Sequence, residues 1–298
     1  MPKNLADKTL DEYREKWGAF YRWLCARTAE GPTVGDFTLE VAREYVAARL
    51  RPRDDSPPLQ ATSVGTHVRA LRAIAARIDD AQHPGDHRLG TLRQPKVDPA
   101  PEARSLTNDE LLLLVAAARD VSATARRNTA LLALLIDVGP RVSELVSIDR
   151  ADVDFPNRWI AIRSPAKRGL VRIVPLGSEA IRLLRGHLGS GPDRGPLFVQ
   201  RGGERMTDNA VRSMLVRLSE WVEIDRVSPH DFRHTASTAY TAAGADEVLK
   251  NKVFGWRPNP WSMNQRYTHL TNAQIVAAHQ RISPLDALRP YRRRSEAA

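Results

Sequence analysis

The chain has 298 residues and a single cysteine, Cys25. One thiol cannot form an intrachain disulfide, so no covalent cross-link supports the fold and a reducing compartment suits it. Cys25 falls on the apolar stripe of the first expected helix, where a buried, inert thiol is the reading. Apolar runs are short: none approaches the roughly 18 residues at which a membrane-spanning helix becomes a candidate. The stretch from Met1 to Asp7 lacks the apolar centre of a signal peptide. These absences lead to the expectation of a soluble, cytoplasmic protein with no membrane partner. His67, His83, His87, His187 and His279 have no metal-ligand spacing and are read as surface or packing residues, so no metal and no cofactor is expected. There is no internal repeat and no low-complexity tract.

Positive charge is plentiful. The net charge is +10 and the pI about 10.1, a balance that favours a polyanionic partner. The excess is uneven: residues 1–98 carry +2 and residues 99–298 carry +8.

The length is enough for two domains, each with its own core. In the first hundred residues, Leu10, Tyr13, Trp17, Phe20, Tyr21 and Leu24 recur at three- and four-residue spacing, which predicts a helix with one buried face. Val41, Tyr45, Val46 and Leu50 predict a second helix, and Val64, Val68, Leu71, Ala75 and Ile78 a third. Arg51 to Pro58, with three prolines, is a loop. The stretch from Gln94 to Arg104 is proline-rich and without periodicity, so it reads as an interdomain linker. The expected layout is a helical bundle over 1–98, a linker over 99–106 and a second domain over 107–298.

Thr107 or Asn108 caps the first helix of that second domain, with Glu110 completing a capping box if Thr107 is the cap. Another helix follows from about Ala123 to Asp137. Trp159 to Arg163 and Val171 to Leu176 flank Ser164 to Gly169 as a β-hairpin. Helical patterns return over Ser178–Leu188, Thr207–Val222, Pro229–Ala243, Ala245–Val253 and 272–282, before a basic tail from Arg289 to Arg294. The fold class is therefore mainly α with a small antiparallel β-sheet.

Arg141, Lys167, His230, Arg233, Trp256 and Tyr267 supply cations, hydrogen-bond donors and one phenol, a set suited to attack on a phosphodiester. His230 and Arg233 share a helical face at i, i+3. Arg141 lies in Val138-Gly139-Pro140-Arg141-Val142-Ser143-Glu144-Leu145, Arg233 in His230-Asp231-Phe232-Arg233-His234, and Tyr267 opens Tyr267-Thr268-His269. In this order and with these neighbours the set resembles the catalytic constellation of the tyrosine recombinases, the family of phage integrases and chromosome-dimer-resolving recombinases. The resemblance covers residues 107–282 by motif and the first hundred by helical content and order.

The resemblance implies a core-binding helical bundle joined to a catalytic domain, closing as a clamp around double-stranded DNA with a specific core site. Arg141 and Arg233 would clamp the scissile phosphate with planar, always charged forks. Lys167 at the hairpin tip would protonate the departing 5′ oxygen, with Arg168 as the competing candidate. His230 would accept the tyrosine proton or donate to the phosphate, and Glu144 fits the acidic position that supports the site. Tyr267 would be the nucleophile, leaving a 3′-phosphotyrosine.

The chain departs from the family pattern at three places. Pro140 stands for the usual leucine, and Trp256 stands for histidine, so that position can donate to phosphate but not transfer a proton. Tyr267 lies eleven positions after Trp256 where nine is common. None of these changes removes a reactive group.

By the same resemblance the protein would act as a homotetramer on two DNA sites, through a four-way junction, in the nucleoid-associated cytoplasm. Residues 272–282, capped by Thr271 and bearing Ile275, Val276 and His279 on one face, would bind a neighbouring protomer rather than their own core. The rival readings are a type IB topoisomerase-like strand cleavage and a DNA-binding regulator with a decayed site.

Overall fold

The computed structural model describes residues 7–52, 57–80, 87–97, 104–120, 123–163, 171–189, 194–256 and 270–288. The chain divides into two compact units, Met1–Pro101 and Glu102–Ala298.

The first unit is built from α1 (Asp7–Cys25), α2 (Leu39–Leu50) and α3 (Ala61–Asp80). Phe20 is its centre, with ring centroids 5.5 Å from Trp17, 5.3 Å from Phe37 and 5.1 Å from Tyr45. The Thr38 hydroxyl accepts a hydrogen bond from the Val41 N–H and so starts α2. Leu24, Val68, Leu71 and Ala75 close the core as the periodicity requires. Two expected core residues of α1 are exposed instead, Leu10 and Tyr21. At roughly 100° per residue, Tyr21 lies a quarter-turn or more from Phe20 and Leu10 about 80° away on the same side, so the buried stripe is narrower than the apolar spacing suggests. Cys25 is the last residue of α1 and is half-buried.

The second unit begins with α4 (Asn108–Asp120). The Thr107 capping box is formed: the Glu110 N–H donates to the Thr107 hydroxyl, and the Thr107 N–H donates to the Glu110 carboxylate. Next, α5 (Ala125–Val138) is the structural axis, with every residue from Asn128 to Val138 buried. A short helix, α6 (Val142–Ser147), follows. The strands β1 (Val153–Asp154), β2 (Trp159–Arg163) and β3 (Val171–Pro175) form one antiparallel sheet in sequence order, with Ile160 opposite both Val153 and Val174. Ile160, Ile162 and Val174 point into the core.

Four longer helices complete the unit: α7 (Ser178–Leu188), α8 (Asp208–Trp221), α9 (Pro229–Ala242) and α10 (Glu247–Phe254). Beyond them come α11 (Asn272–Ile282) and the single turn α12 (Pro284–Ala287). Here α11 packs against β3, and α12 packs against α5 and α7. The short elements α6, β1 and α12 go beyond what periodicity indicates. Among the described residues, no helix is long and apolar enough to cross a membrane.

Gly139 fixes how α5 meets α9. It ends α5 with φ +50°, and a Cβ there would lie 2.9 Å from the Arg233 Cα and 3.2 Å from the Ala236 Cβ. Only glycine allows both the left-handed turn and this backbone approach.

Candidate active site

The chain leaves α5 through Gly139 and Pro140 and places Arg141 as the residue that precedes α6. Glu144, one turn on, is 1% exposed and accepts a hydrogen bond from the Arg141 N–H at 2.9 Å. The Arg141 guanidinium also reaches Glu144 at 2.9 Å while its side chain stays 48% exposed. From β3, Arg172 meets the same carboxylate with both terminal nitrogens, at 2.9 and 2.8 Å. Its Nε donates to the Val253 carbonyl at 3.1 Å, joining β3 to α10. Burial pushes the Glu144 carboxyl upward, but the hydrogen bonds and charge of Arg172, then the hydrogen bonds of Arg141, outweigh it and hold the group below its ordinary range. The result is a buried anion that fixes two guanidinium groups, one of them open to solvent.

Arg233 on α9 is almost fully buried. Its terminal nitrogens donate to the Gly139 carbonyl at 2.9 Å and the Phe254 carbonyl at 2.5 Å, so it ties the end of α5 to the end of α10. Its guanidinium lies 5.4 Å from the Phe254 ring centroid and 5.9 Å from that of Trp256. Burial, and then repulsion from Arg141, lowers the Arg233 pKa to about 10. It stays protonated at neutral pH.

His230 is exposed in the first turn of α9, on the face it shares with Arg233. Pro229 occupies the first helical position, and the Asp231 carboxylate accepts the Ser228 N–H at 2.7 Å. His234 faces elsewhere and shares a hydrogen bond with the Ser105 hydroxyl, a fold-supporting contact. Trp256 stacks on Phe254 at 5.0 Å and is partly exposed beside Arg233. The structure thus brings together Arg141, Glu144, Arg233 and Trp256, with His230 one turn from Arg233. Lys167, its competitor Arg168, and Tyr267 lie outside the described residues. Among the described residues, no cluster of His, Cys, Asp and Glu could hold a metal ion.

Two features were missed by sequence reasoning. Arg172 read only as a strand residue, although strand alternation gives it a definite face. The second is a buried chain of polar groups behind the site. Asp137 on α5 accepts hydrogen bonds from the Gly177 N–H at 2.8 Å, the Ser283 hydroxyl at 2.6 Å and His279 Nε2 at 3.0 Å. On the other side of the ring, the Tyr240 hydroxyl meets His279 Nδ1 at 2.5 Å. Burial raises the Asp137 carboxyl, yet the His279 charge and these donors outweigh it and hold it below the usual range. Burial, then Asp137, pushes the Tyr240 phenol well above its usual value, so it keeps its proton.

The same chain corrects the expectation for residues 272–282. Ile275 and His279 are buried within their own unit, not offered to a neighbour. The helix docks at home because Asp137 is a buried anion, and His279 supplies the partner it requires.

Glu144 fixes the exposed Arg141 fork and Arg172, and Arg233 is pinned by carbonyls, an arrangement chemically able to grip an oxyanion. The comparisons with known proteins identify the family. The model of the phage integrase family matches residues 104–274. This chain belongs to the phage integrase family. It is 33% identical over 193 residues to the tyrosine recombinase XerC of Pelotomaculum thermopropionicum, a match spanning 61% of this chain and 62% of that relative. It is 30% identical over 275 residues to the tyrosine recombinase XerD of Mycobacterium leprae, covering 86% of this chain and 85% of the relative. Its fold is shared with a lambda integrase tetramer bound to a Holliday junction, at TM-score 0.66 and 17% identity, over 87% of this chain and 74% of that one.

Proposed function

We propose that this protein is a site-specific DNA recombinase that cleaves and rejoins duplex DNA through a 3′-phosphotyrosine at Tyr267. The observation that carries the reading is the arrangement of Arg141 and Arg233 around the buried Glu144. Attack on a phosphodiester increases the charge on its non-bridging oxygens, and fixed donors aimed at them stabilise that charge most where water is excluded. Arg233 is already desolvated and held by two carbonyls. Arg141 keeps an exposed fork for the phosphate, and the Trp256 indole N–H adds a neutral donor.

In this mechanism the Tyr267 oxygen bonds to phosphorus as the bond to the 5′ oxygen breaks. His230 accepts the phenolic proton and Lys167 supplies one to the leaving 5′ oxygen. The reverse step uses a 5′ hydroxyl as nucleophile and returns the phenol, so the phosphodiester energy stays in the phosphotyrosine and rejoining needs no nucleotide. Residues 1–98 serve as the core-binding half of a DNA clamp and 107–298 as the catalytic half. Four protomers on two sites exchange strands through a four-way junction, a reading supported by the fold shared with the lambda integrase tetramer bound to a Holliday junction.

The test is a suicide substrate, a nicked duplex carrying the core site, incubated with the protein in chelator. A covalent protein–DNA species that survives denaturant is expected, and Tyr267→Phe should abolish it while retaining binding. An adduct that persists in Tyr267→Phe overturns the assignment.

A further inference from the structure

At the opposite end of α5 from Arg141, roughly 20 Å along the helix, there is a cavity of about 670 Å³. That volume is in the range of small-molecule sites. Its wall comes from the start of α5, the loop at Gln200 and Arg201, and one face of α8. Met206, Met214 and Leu218 are buried and give it an apolar floor, while Trp221, at the end of α8, is 71% exposed at its edge.

The charge of this cavity is one-sided. Among the described residues, Arg127, Arg201 and Arg217 all line it, and no aspartate or glutamate does. Arg127 is fixed in place: its Nε and one terminal nitrogen donate to the Asn128 side chain at 3.1 and 2.9 Å, and the other donates to the Val199 carbonyl at 3.0 Å. Burial, and then repulsion from Arg217 and Arg201, lowers its pKa, so the three cations act on one another without a neutralising carboxylate. Holding like charges together in a concave, partly desolvated site costs free energy unless an anion completes it.

We propose that this cavity is a nucleotide-binding pocket, in which the three arginines take the phosphate groups and the Trp221 indole stacks on the base. Guanidinium forks match phosphate oxygens in pairs, and an exposed aromatic ring offers a stacking platform to any unpaired base. The ligand is a free nucleotide or an unpaired nucleotide of a DNA strand. The proposal does not depend on the chemistry at Tyr267.

The experiment is calorimetric titration of the full chain at low salt with ATP, with tripolyphosphate as the ring-free control, and with a short single-stranded oligonucleotide. Arg201→Ala/Arg217→Ala and Trp221→Ala are the variants. All three side chains are exposed, and neither arginine pairs with a carboxylate among the described residues. ATP affinity should fall at least about tenfold in the double-arginine variant, the usual loss with a charged hydrogen-bond partner. Trp221→Ala should bring ATP down to the level of tripolyphosphate. If only the oligonucleotide binds, and both variants weaken it, the nucleotide belongs to a strand. The proposal is overturned if neither ATP nor oligonucleotide responds to the variants. It is equally overturned if a polyglutamate peptide shows the pocket-dependent binding and the phosphate compounds do not.

Discussion

The two units of this molecule build their interiors from different materials. Among the described residues, the first unit gathers aromatic rings around Phe20, and its one buried side chain that ionises near neutral pH is His67, whose Nδ1 lies 2.9 Å from the hydroxyl of the buried Tyr45. The second unit has a largely aliphatic core and buries Asp137, Glu144, Asp152, Arg233 and His279. Burying an ion costs several kcal/mol before pairing, while a neutral His–Tyr contact costs little. Stability alone would favour the first solution in both units. The second unit keeps the costly one where Glu144 holds two guanidinium groups and Arg233 is pinned by two carbonyls, an arrangement that the proposed phosphate-gripping site requires and an aromatic core cannot supply.

The comparison can be sharpened by removing the buried ions in turn. Glu144→Gln should have the largest effect, because it leaves Arg172 buried with its bidentate partner lost. Breaking such a pair costs about 3–5 kcal/mol, read as a lower unfolding midpoint of the second unit together with loss of strand cleavage. Asp137→Asn comes next. It removes the charge facing His279 but keeps an acceptor for Ser283 and Gly177, so a loss of about 1–3 kcal/mol is expected. Ionised Asp137 stabilises the fold above the ordinary aspartate pKa, and the contribution is lost as pH falls through its lowered folded value. Acid titration of Asp137→Asn should therefore lack that part of the wild-type loss.

The smallest effect belongs to the first unit. Burial, then the charges of Lys16 and Arg49, lowers the His67 pKa from 6.5 to about 4, with Glu15 acting weakly the other way. The stability this neutral histidine contributes is full above pH 6.5 and is lost as pH falls towards 4. His67→Gln should flatten the pH dependence of the first unit's unfolding between those values, followed by Trp17 and Trp23 fluorescence. A first unit as sensitive to carboxylate removal as the second would break the contrast.

Much of this architecture is legible in the sequence because the helices carry their own boundaries. Thr271 caps α11 as expected, and α7 spans Ser178–Leu188 as its pattern predicts. The elements that escape notice are short: six residues in α6 and four in α12 give too little length for a 3.6-residue period to show. In the structure the motif residues Arg141, Glu144, Arg233 and Trp256 lie together. Arg172 does not declare itself, because its partner is 28 residues away on another element. His279 shows the same limit more sharply. Its helix face was readable, but the partner that draws it inward, Asp137, is 142 residues distant.

The central claim is that the second unit's buried charges position arginines to offset negative charge on a scissile phosphate. The most direct measurement compares strand cleavage by Arg141→Ala on ordinary DNA and on DNA with a neutral methylphosphonate at the scissile position. On ordinary DNA the variant should bind normally and cleave ~10²–10³ times more slowly, the usual loss of one aimed donor. On the neutral substrate that deficit against the unsubstituted protein should shrink below about tenfold, because there is less charge for the missing arginine to stabilise. An equal deficit on both substrates would contradict the account and assign Arg141 a structural role.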